Sequence, residues 1–514
     1  MSNKKEFLFV KSSLILIGMI FASKVLGLLR ETLIASNLGA SFEADAYIYV
    51  TGLSTIVFSI IGGAIGATFV PILAELIQEK KDSERKYFVN NMITIFSIIS
   101  IIIILFVLFF GKYILVILAP GFKEQYNSEQ FNLTILITKI VFISFIFNTL
   151  QSIMKGVLNT HKNFIITGSV DLIYNVILIL FLIFSYNKYG IIGISVGIVI
   201  ATLFQVLIQI PNFRKNGYKY KFVLDFKDRN LLKILKMSVP ILIGISVSQI
   251  NMLVDRGLST FLETGMLALM NYANKLNLLL YTVVGLAITT VTFTDLSLSN
   301  KDKSYSKFNN KLQNSMFLMN FIMIPGTVIL IIFRNEIVKL IYYRGLFTLE
   351  DVKITSNIIF LYSIGMIFYG IKDILNRAFY ALQDTRTPMI NSIIGVLSNI
   401  VFNLILIWKI GVYGLAIGTS ISSIITSILL LVKIKKATNL NLICVIRQNL
   451  KIIVSTFFMG ICILIIKDKI ISNIFVNIIF SCFIGCIVYI GFMLILGDKK
   501  QLLNLIRRKK WKEV

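Results

Sequence analysis

The most regular feature of the sequence is an alternation between long apolar runs and short polar segments. Fourteen runs reach the length of about 20 residues that an α-helix needs to cross the hydrocarbon core of a bilayer. Because lipid offers the backbone no hydrogen-bond partners, such runs span as helices. The pattern predicts an all-α, polytopic membrane protein with about 14 transmembrane helices.

Composition and charge agree with that prediction and exclude a soluble enzyme. Of the 514 residues, 56% are hydrophobic and 15% are charged, and the mean hydropathy is +0.84. With the N-terminus inside, 36 of the 51 Lys and Arg residues fall in inside segments, ten in outside loops and five in spans. This bias predicts that both termini are cytoplasmic. It also accounts for the net charge of +26 without a nucleic-acid partner.

The chain repeats itself at an offset near 224 residues. Asn175 matches Asn399, and residues 158–162 match 382–386. Six spans separate equivalent points, so the two copies have the same membrane orientation, which is typical of transporters with a substrate site between the halves. The predicted organisation is an N-lobe of six helices at 1–211, a basic cytoplasmic linker at 212–236, a C-lobe of six helices at 237–435, and two further helices with a basic tail at 436–514.

Charged side chains inside spans are expensive and are usually functional. The pattern predicts a cationic central cavity for an anionic substrate, and its predicted binding residues are Lys24, Arg30, Glu31, Asp45 and Lys275. The repeat aligns Arg30 and Glu31 with Asp255 and Arg256, which predicts a gate built from these four residues through arginine–carboxylate pairs. Purely structural or interface-snorkelling pairs remain the alternative interpretation.

Neutral polar residues give a second candidate site. Asn399 and Asn403 lie one helical turn apart on the eleventh predicted span, and Thr419 lies on the twelfth. Together with Asp255 they offer oxygen ligands to a small hard cation. Hydrogen bonding between helices is the competing interpretation of the same residues.

Motifs for catalysis are missing from the sequence. The chain has a single histidine and lacks the HExxH, GxSxG and P-loop patterns. The sequence therefore predicts a transporter and not an enzyme. Its energy would come from an ion gradient, the membrane potential or the substrate gradient.

Several segments form recognisable motifs, namely SKVLGLLRE at 23–31, GA at 39–40 with DAY at 45–47, TFVPILAE at 68–75, NYANKL at 271–276 and RAFYALQDTRTP at 377–388. Together they resemble the MurJ (MviN) lipid II flippase family of the MOP exporter superfamily. The resemblance covers both halves of the chain, and fourteen spans is also the number found in this family.

The resemblance implies two six-helix lobes around a cationic cavity, with two extra helices that hold the lipid tail. It implies a flippase that moves lipid II, the undecaprenyl-pyrophosphate-linked peptidoglycan precursor, to the outer leaflet of the bacterial cytoplasmic membrane by alternating access. The family's essential first-helix arginine and acid correspond to Arg30 and Glu31. Its other first-helix basic residue corresponds to Lys24, and its eighth-helix arginine to Lys275. The sodium site of some members corresponds to Asp255, Asn399, Asn403 and Thr419.

Three departures from the family pattern leave an alternative open. Phe58 stands where the family often has an arginine, lysines at 24 and 275 lack the bidentate guanidinium fork, and Asn403 replaces an acid. The alternative is another MOP-type exporter of a polyprenyl-linked polysaccharide precursor. The repeat and the cations in spans argue against a non-transporting scaffold, and the missing catalytic groups argue against a lipid-modifying enzyme.

Overall fold

A computed structural model describes residues 2–301, 305–467 and 473–496, and these ranges contain seventeen α-helices and no β-strand. The predicted all-α fold class is confirmed. A π-helical turn at Tyr281–Gly285 joins α9 to α10. The helices are α1 (Ser2–Leu38), α2 (Phe42–Gln78), α3 (Asp82–Leu118), α4 (Pro120–Gln125), α5 (Ser128–Thr160), α6 (Phe164–Phe184), α7 (Tyr186–Lys215), α8 (Arg229–Ser259), α9 (Met266–Leu280), α10 (Leu286–Lys301), α11 (Tyr305–Ile332), α12 (Arg334–Tyr342), α13 (Leu349–Ala381), α14 (Arg386–Ile410), α15 (Val412–Thr438), α16 (Leu442–Ile466) and α17 (Ile474–Ile495).

Most of these helices can cross a membrane. Over the described residues, twelve spans are long and apolar enough, and Met266–Ser299 is one of them. Helices α1 and α8 add 37 and 31 residues, or about 55 and 46 Å at 1.5 Å per residue. Both lengths exceed the hydrocarbon thickness of about 30 Å. The chain is therefore a multi-pass membrane protein.

Polar residues at the helix starts fix where the spans begin. The Ser41 side chain accepts a hydrogen bond from the Ala44 N–H at the start of α2, and Asn127 forms a capping box with Gln130 at the start of α5. The Asp384 carboxylate accepts from the Thr387 N–H, 2.9 Å away, at the start of α14. This hydrogen bond lies beside the first residue of α14, Arg386, two residues before Pro388.

The described residues pack into two units that divide after Ala268, with Arg344–Thr348 belonging to the first. In the first unit α1 packs on α6, and α2 packs on α5 and α8. Its core includes Phe69, Phe88 and Val157. This division by packing places α8 with the first unit, whereas the repeat predicts lobes separated by the 212–236 linker. The repeat-based lobes stay a prediction.

The second unit is built around α13, which packs on α11 and α15, while α15 also packs on α14. Helices α16 and α17 pack on each other, and α16 also packs on α11. Ile452, Met459 and Tyr489 form part of a buried apolar cluster at this junction. The two helices predicted to lie outside the repeat are thus attached to the second unit through α11.

Candidate functional site

Arg30 of α1 lies at the centre of a buried polar cluster in the first unit. Its Nη1 donates to Oδ1 of Asn175 on α6 at 2.9 Å, and its Nη2 donates to Oε1 of Glu31 at 2.6 Å. The guanidinium carbon lies 5.5 Å from the ring centroid of Tyr174. Because α1 packs along α6, two neighbouring α6 residues contact the same arginine.

The cluster holds the guanidinium in place but leaves one of its donors unused. Asn175 Nδ2 donates to the carbonyl oxygen of Ser23 at 3.0 Å, which ties the amide itself to α1. The side chains of Arg30 and Glu31 are 19% and 8% exposed. Arg30 Nε is buried and has no hydrogen-bond partner among the described residues. An arginine in this state can still donate to an anionic oxygen.

The two predicted lysines lie on exposed surfaces. Lys24 is exposed on α1, between one and two turns before Arg30. Lys275 is exposed on α9 in the second unit. The structure therefore brings Arg30 and Glu31 together, and it leaves the substrate-binding roles of both lysines as predictions.

Asp45, also predicted to bind substrate, caps a helix. Its two carboxylate oxygens accept from the backbone N–H groups of Gly265 and Ala268, at 2.6 and 2.8 Å, at the start of α9. The residue is 3% exposed. A carboxylate is stabilised at a helix N-terminus by the unsatisfied N–H groups and the helix dipole. This geometry favours a positioning role over direct contact with substrate.

Close backbone contacts join the end of α1 to the loop at 344–348. The Leu346 N–H donates to the Ser36 carbonyl oxygen at 2.8 Å. Gly345 has a φ of +60°, and a Cβ there would lie 2.2 Å from the same oxygen. Gly39 has a φ of +56°, and its Cβ would lie 2.7 Å from the Leu346 oxygen. Only glycine permits both the backbone angles and the approach.

The predicted gate residues on α8 contact α2 within the first unit. Arg256 Nη1 donates to the Ile48 carbonyl oxygen at 2.8 Å. A Cβ on Gly52 would lie 1.9 Å from this Nη1, so the guanidinium occupies the space that Gly52 leaves. The Asp255 carboxylate accepts from Asn251 Nδ2 at 3.3 Å. Arg256 therefore fastens α8 to α2, and a gate made with Arg30 and Glu31 stays a prediction.

Three of the four predicted cation ligands lie together in the second unit. Asn403 Nδ2 donates to Asn399 Oδ1 at 3.1 Å, and Asn399 Nδ2 donates to Thr419 Oγ1 at 3.4 Å. A Cβ on Gly418 would lie 2.1 Å from Asn403 Oδ1, so this glycine makes room for the amide. The neutral oxygens suit a hard cation, and their mutual hydrogen bonds also link α14 to α15. The described residues contain no group of three or more His, Cys, Asp or Glu placed to hold a metal ion.

Phe58, at the position of the missing arginine, packs in the first unit. Its ring lies edge-to-face against Phe145 of α5, with centroids 5.9 Å apart. The charge is replaced by an aromatic contact of the kind that stabilises helix packing.

Sequence reasoning missed the residues that hold the charges in place. The sequence identifies Asn175 only through its match to Asn399 in the repeat, and it gives no indication of a role for Gly52. The signal for Asn175 was a polar residue in the middle of an apolar span, at the repeat position of Asn399. Gly52 carried no comparable signal, because its role depends on where α8 packs.

The model of the family "Lipid II flippase MurJ" matches residues 34–485 of the chain. This chain belongs to the lipid II flippase MurJ family. The probable lipid II flippase MurJ of Vibrio cholerae is 29% identical over 435 residues, 82% of each chain. The lipid II flippase MurJ of Thermosipho africanus is 30% identical over 416 residues, 81% of this chain and 83% of that one.

Solved structures agree with the family. A lipid II flippase MurJ in an inward closed conformation aligns with a TM-score of 0.80 and 29% identity, and covers 94% of this chain and 98% of that one. A multidrug resistance MATE transporter of the MOP superfamily aligns with a TM-score of 0.68 at 13% identity, over 83% of this chain and 98% of that one, which shows a shared fold alone. The MurJ family model includes Asn175 and Lys275 and begins just after Arg30 and Glu31.

Proposed function

We propose that this protein is a flippase that moves lipid II from the inner to the outer leaflet of the bacterial cytoplasmic membrane by alternating access. The observation that carries the proposal is the MurJ family match across residues 34–485. Just before this range lies Arg30, a half-buried arginine whose Nε–H has no hydrogen-bond partner among the described residues. The anionic polyprenyl-pyrophosphate glycolipid is the substrate partner, and membrane lipids surround the spans. Cell wall synthesis and cell shape depend on this step.

Arg30 is the residue that binds the pyrophosphate. Guanidinium groups match phosphate oxygens in geometry and bind them through parallel N–H donors. Glu31 and Asn175 already fix two sides of the Arg30 guanidinium, so little side-chain freedom is lost when the substrate arrives. Glu31 acts as the counter-ion while the site has no substrate. When the substrate binds, a phosphate oxygen accepts a hydrogen bond from Nε–H of Arg30. It also competes with Glu31 for the hydrogen bond from Nη2.

The two lysines extend the binding site. Lys24 and Lys275 are exposed on their helices and carry compact positive charges. They attract the headgroup phosphates as point charges, whereas Arg30 supplies the directional contact. Asp45 acts indirectly by holding the start of α9, the helix that carries Lys275.

The orientation follows from charge. Basic residues are concentrated in the segments that would face the cytoplasm if the N-terminus is inside, which supports cytoplasmic positions for both termini. Cysteine substitution at exposed residues of the 212–236 linker, followed by labelling of intact cells with a membrane-impermeant reagent, tests this orientation. Labelling before the cells are opened would contradict it.

We propose sodium as the coupling ion, with the ligands that the sequence predicts, Asp255, Asn399, Asn403 and Thr419, of which the last three lie together in the second unit. A bound cation at these oxygens would favour one arrangement of the helices that carry them. Purified protein should gain thermal stability when sodium replaces choline at constant ionic strength, and Asp255→Asn should remove the gain. An equal gain in Asp255→Asn would leave the membrane potential or the substrate gradient as the energy source.

The decisive experiment is complementation of cells depleted of their own lipid II flippase. Arg30→Ala should fail to restore growth, Arg30→Lys should restore it weakly, and Arg214→Ala, an exposed arginine at the end of α7, should restore it fully. Immunoblots of membranes verify that the variants are present in equal amounts. The amount of labelled lipid II in the outer leaflet reports transport directly. Full activity of well-expressed Arg30→Ala would overturn the proposal. Growth that fails even with the wild-type chain would favour a polysaccharide-precursor exporter.

A further inference from the structure

The segment Tyr218–Lys227 lies between α7 and α8, forms no helix, turns at Phe226 and Lys227, and is fixed to the beginning of α3. We call it the strap. The Asn91 side chain of α3 makes two hydrogen bonds to the backbone of Asp225 in the strap. Its Nδ2 donates to the Asp225 carbonyl oxygen at 2.8 Å, and its Oδ1 accepts from the Asp225 N–H at 2.9 Å. The Tyr87 hydroxyl donates to the Asp225 carboxylate at 3.0 Å, and the Tyr220 hydroxyl lies 3.1 Å from that of Thr94. The strap is therefore a defined surface and not a loose linker.

The strap presents apolar side chains away from the protein. Phe222, Leu224 and Phe226 are 72%, 44% and 62% exposed. They are spaced two residues apart, and their exposure places all three on the outer side of the strap. Val223 and Asp225 alternate with them and are half-buried. Exposure of these three large apolar side chains to water costs free energy, about 25 cal/mol for each Å² of apolar surface.

In the strap and the adjoining Asp228, basic and acidic side chains differ in exposure. The basic side chains are exposed, and they include Lys219, Lys221 and Lys227. The two acids, Asp225 and Asp228, are half-buried and both hydrogen-bond to Asn91. The outward surface of the strap thus combines positive charge with aromatic rings, which are the two features of protein segments that bind anionic bilayer surfaces.

The position of the strap on α3 gives its depth in the membrane. Apart from Tyr87, which contacts the strap, the exposed large hydrophobic side chains of α3 run from Ile99 to Ile117, a rise of about 27 Å at 1.5 Å per residue. This length matches the hydrocarbon thickness of about 30 Å. Thr94, which contacts the strap, precedes Ile99 by about 7.5 Å, the thickness of the headgroup layer.

The strap also lies on the lipid-facing side of α3. Its contact residues Tyr87, Asn91 and Thr94 are spaced by four and three residues and share one helix face. Continuing that spacing reaches Ile101 and Leu105, which are 44% and 46% exposed. The strap therefore covers the stretch of this face that emerges from the hydrocarbon layer.

We infer that the strap is a binding site for anionic phospholipid headgroups of the leaflet at this end of α3. Lys219, Lys221 and Lys227 contact the headgroup phosphates, and Phe222, Leu224 and Phe226 insert at the level of the glycerol groups. The surface fastens the connection between α7 and α8 to the membrane. This inference does not depend on the transported substrate.

The test uses full-length protein in phosphatidylcholine vesicles that contain phosphatidylglycerol, with either lipid brominated near the top of its acyl chains. Phe222→Trp introduces a reporter indole, and the wild-type protein with its two tryptophans supplies the background. Brominated phosphatidylglycerol should quench the new indole more strongly per mole than brominated phosphatidylcholine. Adding Lys219→Gln and Lys221→Gln should lower this preference by about fivefold for each lysine removed.

The control carries Lys435→Gln and Lys436→Gln, two exposed lysines in the last turn of α15, and should keep the preference. Equal quenching by the two lipids, no quenching above the wild-type background, or a preference that survives the strap substitutions would each overturn the inference. Because all four lysines are exposed, these variants are expected to fold, and thermal unfolding of each confirms it.

Discussion

Asn175 and Asn399 occupy the same position in the two repeats and are 5% and 3% exposed. In the first unit, the Asn175 amide holds the guanidinium of Arg30 and a carbonyl oxygen of α1. In the second, the Asn399 amide bonds to Asn403 and Thr419, which are both neutral. The repeat thus keeps a buried amide, and among the described residues a charged side chain hydrogen-bonds to it only in the first copy. This asymmetry suggests that the first amide serves substrate binding, whereas the second serves helix packing and the cation site proposed for its unit.

The largest expected effect comes from breaking the first amide. Asn175→Leu, which is similar in size, removes the neutral partner of Arg30 and leaves a buried donor unsatisfied. Loss of a hydrogen bond to a charged group costs about 1.5–3 kcal/mol, which corresponds to about a 10- to 150-fold loss of lipid II transport if it falls on the transition state. Transport of labelled lipid II in reconstituted vesicles measures it.

The matched variant is Asn399→Leu. Here we expect lower thermal stability and loss of the stabilisation by sodium, but binding of labelled lipid II within about threefold of the wild type, because the hydrogen bonds that this substitution removes join two helices of one unit and do not involve Arg30. Equal losses of lipid II binding in Asn175→Leu and Asn399→Leu would remove the functional distinction between the repeats.

The next prediction concerns Glu31, the counter-ion of Arg30, because this charged pair accompanies the buried amide in the first repeat. Glu31→Gln keeps the shape of the side chain and a hydrogen-bond acceptor for Arg30 but removes its counter-ion. If Glu31 competes with phosphate, the variant should bind lipid II more tightly and release it more slowly. The expected result is a KM and a kcat that both fall by about tenfold. An unchanged KM with a lower kcat would instead assign Glu31 a purely structural role.

The sequence predicted the fold and the charged residues more completely than it predicted their surroundings. Apolar runs specify spans, and Arg30 and Glu31 are visible because charges in spans are rare. Their partner on α6 was hidden, since one asparagine in an apolar helix has many possible neighbours. Asp45 is a second residue whose contacts could not be predicted from the sequence. Its charge was visible, but its capping of α9 depends on a contact 220 residues away along the chain.

A smaller effect concerns how the first unit accommodates Arg256, its half-buried arginine on α8. Gly52→Ala places a methyl group on Arg256, which must leave the Ile48 carbonyl oxygen. Overpacking of this kind costs about 1–3 kcal/mol of unfolding free energy. Gly66→Ala on the same helix has nothing within 4 Å of the added carbon and should be neutral or slightly stabilising. Thermal unfolding in detergent compares the two, and equal stability would mean that Arg256 is not needed to fasten α8.

The smallest effect separates the loops that the repeat aligns, 158–162 and 382–386. His161, in the first loop, lies with Nε2 3.1 Å from the Tyr218 hydroxyl, and burial together with the charge of Arg85 lowers its pKa. For Asp384, in the second loop, burial acts to raise the pKa, but the hydrogen bonds from Thr387 and Arg386 and the charge of Lys433 together lower it. A lowered pKa means that the stability each group contributes is lost as the pH falls through its folded value. The loss of stability for His161 begins near pH 6.5, its ordinary pKa, and the loss for Asp384 begins only below about pH 3.8.

The unfolding temperature of the wild type should therefore fall slightly between pH 7.5 and 5. His161→Gln should reduce this fall, whereas Asp384→Asn should leave it unchanged. A fall that persists fully in His161→Gln would show that another group of the protein titrates in this range.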